Sequence, residues 1–243
     1  MRPSRRVAAP GILPAVAALV TLVCVAAPEL QGQVRFAVTE IRIEVNATDG
    51  DAGIQVDLDG EAWREVTIFS PDGRRLLVVG AEGNLEKLGL TELFFESEEP
   101  SFDELPLRDL LRMFPEGEYR FVGRTVEGER IVGVATLTHD IPAGPVILSP
   151  REGQRVDPDH TVIVWVPVTR PQGIEIVRYQ VIVEREEPTP LQFSVDLPAS
   201  VTSVTVPPEF LQPGTEYDFE VLAIEAGGNQ TITESSFETA RGD

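Results

Sequence analysis

The sequence predicts an all-β chain made of two tandem immunoglobulin-like β-sandwiches, with one short helix in the first. Beyond residue 33 nearly every apolar run is short and alternates with polar residues, and nearly every run ends in Gly, Pro, Asp or Asn. Alternation with period two is typical of half-buried strands, and these four residues are common turn formers. The 243 residues leave room for two modules of roughly 100 residues each.

The first 27 residues have the order of a secretory signal peptide. Three arginines precede an apolar stretch from about Ile12 to Ala27. A membrane anchor is the alternative, but Pro10 and Pro14 leave less than the ~20 unbroken apolar residues that a spanning helix needs. We therefore expect residues 1–27 to be removed on export. The exported protein would be secreted or periplasmic, with no integral membrane span.

The composition indicates a bacterial exported protein. Cys24 is the single cysteine and lies in the signal segment, so the exported chain would have no disulfide and no cysteine-based zinc site. The formal net charge of −20 repels phosphate backbones and anionic lipid headgroups, so we expect no nucleic-acid partner. So acidic a surface either attracts divalent cations or serves solubility alone.

The first sandwich is predicted over residues 33–141 and is not assigned to a named family. Its strands are indicated by six apolar runs, at 34–46, 65–69, 75–80, 91–96, 119–126 and 130–139. The stretch SPDG at 70–73 fits a type I turn, and residues 127–129 close the last hairpin.

One helix interrupts this pattern. Leucines 107, 110 and 111 with Phe114 have helical spacing, which predicts a helix over about 103–113. Ser101 and Glu104 would form its capping box. A proline-rich stretch, HDIPAGPVILSP at 139–150, then places a domain boundary near residue 142.

The second unit carries a sequence motif with separable structural jobs. In LQPGTEYDFEVLA at 211–223, a Pro-Gly turn leads to Tyr217, whose hydroxyl can return to the backbone, and apolar residues then alternate along a strand. Trp165 ends an earlier strand and Tyr179 lies in the next one. Residues 143–240 resemble a fibronectin type III domain. This resemblance implies a tyrosine corner at Tyr217 and a core around Trp165, so these residues are structural.

The first unit echoes this motif. The segment PEGEYRF at 115–121 parallels PGTEYDF at 213–219, which places Tyr119 in the position of Tyr217. Trp63 precedes Tyr119 much as Trp165 precedes Tyr217, although Trp63 stands directly against the following strand. We therefore interpret the first unit as a second β-sandwich.

The stretch ATDGDAGIQVDLDGE at 47–61 sets five acidic residues among glycines, just after an alternating apolar run. Neither possible frame has the ligand spacing of an EF-hand calcium loop. A looser calcium site from Asp49, Asp51, Asp57 and Asp59 stays open. The alternative is a hairpin in which DGDAG is the turn, Ile54, Val56 and Leu58 point inward, and Gln55, Asp57 and Asp59 face water. The alternation favours the hairpin, so we expect no cofactor, with calcium as the one candidate.

The residues of a catalytic site are not recognisable in the sequence. After the signal segment the chain has two histidines, His139 and His160, far apart and without metal spacing, and it has no nucleophile elbow or P-loop. We therefore predict that the protein is not an enzyme. Asn46 and Asn229 begin N-glycosylation triplets, which matter only in a eukaryotic secretory pathway.

These observations favour an exported, non-catalytic protein that acts as a binding or spacer module at the cell envelope. Its partner would be an unidentified protein or polysaccharide. The first alternative is a calcium- or polysaccharide-associated accessory of an exported enzyme, and the second is a hydrolase whose site the sequence does not disclose.

Overall fold

The strands of the first sandwich are β1 to β7, seen in a computed structural model that describes residues 33–241. They span Val34–Arg35, Val38–Asn46, Asp51–Phe69, Arg75–Gly80, Leu90–Glu96, Gly117–Thr125 and Arg130–Leu137, with helices α1 at Asn84–Leu88 and α2 at Leu107–Met113. The predicted signal segment, 1–27, lies outside the described residues. Within them, no helix is long and apolar enough to span a membrane.

The second sandwich contains strands β8 to β15. They span Val146–Ser149, Gln154–Val156, Val162–Val166, Ile176–Arg185, Leu191–Pro198, Ser203–Thr205, Glu216–Glu225 and Gln230–Thr239, and a 3₁₀ helix at Pro158–His160 precedes β10. One layer has the order β13-β10-β8, and the other contains β15-β14-β11-β12. The predicted all-β fold with tandem sandwiches is confirmed.

Strand β3 links the two layers of the first sandwich. Its first half, Asp51 to Asp59, pairs with β2 and β5. Its second half, Trp63 to Phe69, pairs with β4 and β6 after a shift of register. The sequence prediction identified the two halves separately and did not recognise one strand of 19 residues.

The hairpin before β3 differs from its prediction in position. The turn is Ala47 to Gly50, while Asp51 to Gly53 already belong to β3 and pair with β2. The side chain of Asn46 accepts the N–H groups of Thr48 and Asp49, at 2.9 and 3.1 Å. Gly50 has a φ of 72°, which a residue without Cβ adopts at low cost. The turn DGDAG was therefore wrong by about two residues, because Asn46 starts the turn.

The inward side of β3 is as predicted and the outward side is not. Ile54, Val56 and Leu58 are buried in the first core. Gln55 is only 6% exposed, whereas Asp57 and Asp59 are half-buried. The expectation that these three polar residues face water was wrong for Gln55, because part of the second sandwich covers it.

Helix α2 is shorter than its prediction. It starts at Leu107, with Pro106 at the N-cap and no side-chain cap. A residue before proline is disfavoured in the helical conformation, so Leu105 cannot extend the helix backwards. Ser101 instead forms an isolated bridge with Asp51, and the predicted capping box is wrong. The prediction also missed α1, which has five residues and none buried.

The two sandwiches have separate hydrophobic cores of similar composition. Each core encloses a tryptophan and a tyrosine with at most 1% exposure: Trp63 and Tyr119 in the first, Trp165 and Tyr217 in the second. The domain boundary near residue 142 stays a prediction, because one sheet of 12 strands runs through both units.

The tyrosines return to the backbone as predicted. The Tyr217 hydroxyl accepts the N–H of Gln212 at 2.8 Å and donates to the carbonyl of Phe210 at 3.4 Å. The Tyr119 hydroxyl donates to the carbonyl of Pro115 at 3.0 Å. Both side chains thereby fix the turn that precedes their own strand.

We expect Tyr217→Phe to lower the free energy of unfolding by about 1–3 kcal/mol, because a backbone donor and a backbone acceptor lose their shared partner. Tyr119→Phe should cost less, since only one carbonyl loses its partner. Urea unfolding of both variants measures the difference. Equal stability of Tyr217→Phe and the wild type would contradict the structural role of the corner.

Candidate functional site: an inter-sandwich junction with an acidic face

The two sandwiches are joined by parallel pairing of β2 with β15. Gln230, Thr231 and Ile232 of β15 align with residues 44, 45 and 46 of β2. The chain continues this contact past the strand, since the N–H of Ala47 donates to the Ile232 carbonyl at 2.9 Å. We call this pairing, together with the side-chain bonds described next, the junction.

Asn229 uses its side chain to hold two segments of the first sandwich. It is 1% exposed. Its Oδ1 accepts the N–H of Ile43 at 2.9 Å, and its Nδ2 donates to Thr138 Oγ1 at 3.0 Å and to the carbonyls of Thr138 and Asp140 at 3.1 and 3.2 Å. A buried amide with all its groups bonded costs much to disrupt, because each lost partner leaves a polar atom unpaired.

Three further hydrogen bonds extend the junction. The Thr231 hydroxyl donates to the carbonyl of Pro142 at 2.6 Å. The N–H of Glu234 donates to Thr48 Oγ1 at 2.8 Å, and Asn46 Nδ2 donates to Glu234 Oε1 at 2.5 Å. The side-chain amides of Asn46 and Asn229 are thus both buried and bonded, so neither glycosylation triplet presents a free acceptor in the folded protein.

Three carboxylates of the first sandwich meet beside the junction, because β2 and β5 both pair with the first half of β3. Oxygens of Glu44, Glu96 and Glu99 lie within 4.8 Å of one another. Gly53 makes this possible, because a Cβ there would lie 2.8 Å from Cγ of Glu99. Gln230 of the second sandwich donates through Nε2 to Glu44 Oε2 and, at 3.3 Å, to Gln55 Oε1.

A cleft of about 360 Å³ continues this charge onto the second sandwich. Five carboxylates line it, those of Glu152, Glu184, Asp218, Glu220 and Glu234. Thr48 of the first sandwich lines it too. We call these five residues with Glu44, Glu96 and Glu99 the acidic face.

The carboxylates of the acidic face repel one another. Burial, then repulsion from Glu96, raises the pKa of Glu44 to about 7, against a hydrogen bond from Gln230 that lowers it. Burial, with repulsion from Glu96 and Glu44, raises the pKa of Glu99 to about 7. Burial also raises the pKa of Glu220 to about 7, with repulsion chiefly from Glu234. Clustered carboxylates whose pKa values are raised by burial and mutual repulsion are common at functional sites, so the acidic face is a candidate functional site.

The four aspartates predicted as calcium ligands are not brought together. Asp49 lies in the exposed turn, and Asp57 forms an ion pair with Arg42 at 2.6 Å. Asp59 aligns with Val38 and Glu92. Asp51 is the nearest of the four to the acidic face, and its charge adds to the repulsion on Glu99. Across residues 33–241, Glu44, Glu96 and Glu99 form the only such group of three candidate ligands.

Sequence reasoning missed Glu44, Glu96 and Glu99 because Glu44 lies about 50 positions before the other two and no motif marks any of them. Glu44 lies between the buried Ile43 and Val45, as an outward residue of any half-buried strand does. Its contact with the second sandwich was also hidden, because the parallel pairing of β2 with β15 joins residues 186 positions apart and no local pattern encodes it.

Comparison with known proteins identifies the second sandwich. Residues 150–239 match the family model described as "Fibronectin type III domain". The second sandwich is a fibronectin type III domain. Its buried Trp165, its Tyr179 and the corner at Tyr217 occupy the positions that the resemblance implied.

Solved structures that match include fibronectin type III proteins and an adhesin. A domain of human collagen alpha-1(XX) is 24% identical, with 42% of this chain and 86% of that chain covered and a TM-score of 0.32. A two-domain segment of chicken tenascin is 11% identical, with coverages of 84% and 98% and a TM-score of 0.30. A bacterial ice-binding adhesin is 15% identical, with coverages of 87% and 66% and a TM-score of 0.29.

The raised pKa values predict that stability falls as pH rises. A carboxyl whose folded pKa exceeds its unfolded value of 4.5 stabilises the fold fully below that value, and this contribution is lost as pH rises through the folded pKa of about 7. We expect the melting temperature to fall between pH 5 and pH 7.5 by several degrees, at about 2–4 °C per kcal/mol.

Glu44→Gln should flatten this profile and raise the melting temperature at pH 7.5, because glutamine keeps an acceptor for Gln230 and does not ionise. Glu118→Gln, on the exposed side of β6, is the matched control and should follow the wild type. A Glu44→Gln profile as steep as that of the wild type would contradict the assigned repulsion.

Proposed function

We propose that this protein is an exported, non-catalytic module in which two joined sandwiches present one acidic face to a protein partner at the cell envelope. The observation that carries the proposal is the junction: Asn229 and Gln230 bind the first sandwich through side chains, and Thr231 binds the connecting segment at Pro142. A spacer module must be stiff, and a binding module must also hold its binding surface in a fixed shape. Hydrogen bonds between the two sandwiches favour both properties.

The charge of the acidic face indicates the kind of partner. The seven carboxylates of the acidic face other than the buried Glu44 favour a partner with basic residues. Complementary charge increases both the rate and the specificity of association. The proposal that the protein is exported is supported by the sequence of residues 1–27, in which arginines precede an apolar stretch. The proposed location at the cell envelope is supported by the presence of a fibronectin type III domain in such a chain.

The non-catalytic part of the proposal is supported by the surroundings of the histidines. His139 Nε2 lies 2.8 Å from the carbonyl of Phe114, and its backbone N–H donates to Glu116. His160 is exposed and contacts Asp157 of the same short loop at 3.0 Å. Both histidines thus have local, structural partners.

The direct experiment is retention of a partner from envelope extracts on immobilised protein. We expect a protein to be retained at low salt and released by roughly 0.3–0.5 M salt, because salt screens exposed charge. A variant with Glu184→Gln, Asp218→Asn and Glu220→Gln should retain much less of it.

The matched control replaces three carboxyl groups elsewhere, with Glu61→Gln, Glu118→Gln and Glu209→Gln, all exposed. It should retain the partner as the wild type does. Equal retention by both triple variants would contradict binding through the acidic face, and no specific retention at all would leave only the spacer role.

A calcium-dependent accessory role is the second candidate. The observation that favours it is the group of Glu44, Glu96 and Glu99, combined with two oxygens, Glu99 Oε1 and Asp51 Oδ1, which are shielded from solvent and have no hydrogen-bond partner among residues 33–241. Calcium binds carboxylate oxygens and would relieve the repulsion among them.

If this role is correct, calcium should raise the melting temperature, since a ligand at 100 times its Kd stabilises the native state by about 2.7 kcal/mol. Scanning calorimetry with ~5 mM calcium, a concentration above the Kd of weak extracellular calcium sites, and then with chelator measures the change. Glu96→Gln with Glu99→Gln should abolish it. An unchanged melting temperature in calcium would exclude the second candidate and leave the first intact.

A further inference from the structure

The first sandwich contains a cavity of about 180 Å³ that is lined almost entirely by apolar side chains. It lies beside the C-terminal end of α2, where Phe114 is the C-cap. The lining residues are Ile41, Ile54, Val56, Ile68, Leu76, Leu77, Phe95, Ser97 and Phe114. Four of these, the three isoleucines and Val56, are at most 4% exposed, whereas Leu76 is 43% exposed and marks the side nearest solvent.

The cavity offers almost nothing to a polar ligand. Ser97 is its one polar lining residue, and its hydroxyl accepts the N–H of Ile54 at 2.9 Å and donates to the carbonyl of Glu98 at 3.0 Å. The hydroxyl proton is therefore already used. A water molecule in a buried site needs two to four polar partners, so the lining favours an apolar occupant over water.

Hydrogen bonds hold the walls in place. The carbonyl of Phe114 accepts from His139 Nε2 at 2.8 Å, and the carbonyl of the next residue, Pro115, accepts from the Tyr119 hydroxyl at 3.0 Å. The opposite wall belongs to β2 and β3, which pair along nine residues of each strand. A cavity whose walls are fixed cannot collapse to recover the lost packing, so a ligand that fills it gains those contacts.

We propose that this cavity binds a small hydrocarbon ring. A buried space of about 150 Å³ lined by Leu, Ile and Phe is enough for benzene. The present cavity has a similar lining and slightly more room, and it opens to solvent beside Leu76. The ligand class is an uncharged aromatic or alicyclic ring of about six carbons, without polar substituents at the buried end. This site is separate from the acidic face, so its failure would leave the proposed function unaffected.

Benzene titrated into the full protein with ¹³C-labelled isoleucine δ1-methyl groups tests the proposal. The methyl signals of Ile41, Ile54 and Ile68 should shift with one saturable dependence on benzene, because a ring in the cavity lies against all three. Ile163, in the core of the second sandwich, is the internal control and should not shift. No saturable shift up to the solubility of benzene, or equal shifts at Ile163, would overturn the proposal.

A filling substitution provides a second measurement. Val56→Leu adds a methylene to the cavity wall and should weaken benzene binding at least about tenfold. One methylene more or less in an apolar pocket changes ligand affinity by about this factor. Val181→Leu makes the same change in the second core and should leave benzene binding as in the wild type. Unchanged affinity in a folded Val56→Leu variant would overturn the proposal. If that variant does not fold, the methyl titration of the wild type decides alone.

Discussion

The side chain of Asn229 is the interaction on which the arrangement of this protein depends. Among residues 33–241, it is the one residue of the second sandwich whose side chain bonds both to β2, at Ile43, and to the end of the first sandwich, at Thr138 and Asp140. One of its four bonds holds the start of β15 against β2, and the parallel pairing of the two strands begins at the next residue, Gln230. Because an amide buried to this degree is strongly penalised when unpaired, alternative orientations of the two sandwiches are unfavourable.

The same junction explains why the acidic face extends over both sandwiches. Pairing of Glu44 with Gln230 buries one carboxylate beside Glu96 and Glu99, and it places Glu234 next to the first sandwich through Asn46. In a chain with a net charge of −20, such crowding lowers stability at neutral pH. The favourable contacts of the junction offset this cost, and the charge that results is what a basic partner or a cation would meet.

Much of the fold could be predicted from sequence because its signals are local. Alternation gave most strands, and the turn before Tyr217 disclosed a corner that the hydroxyl bonds bear out. The errors came from single residues whose effect does not show in the apolar pattern. The side chain of Asn46 makes the turn start earlier than predicted, and Pro106 makes the helix start later than predicted. The acidic face was out of reach, because Glu44 and Glu96 meet only after β2 and β5 both pair with β3. Glu234 joins them only after β2 pairs with a strand from the far end of the chain. Gln55, assigned to water, is buried for the same reason.

Residual dipolar couplings test the central claim, that the junction makes the two sandwiches one rigid body. Couplings from the strands of the first sandwich and from those of the second should fit a single alignment tensor. In Asn229→Ala, which removes the bonds to Ile43 and Thr138, the two sets should require tensors of different magnitude, while each sandwich alone still fits its own structure. Two different tensors in the wild-type protein would contradict the account.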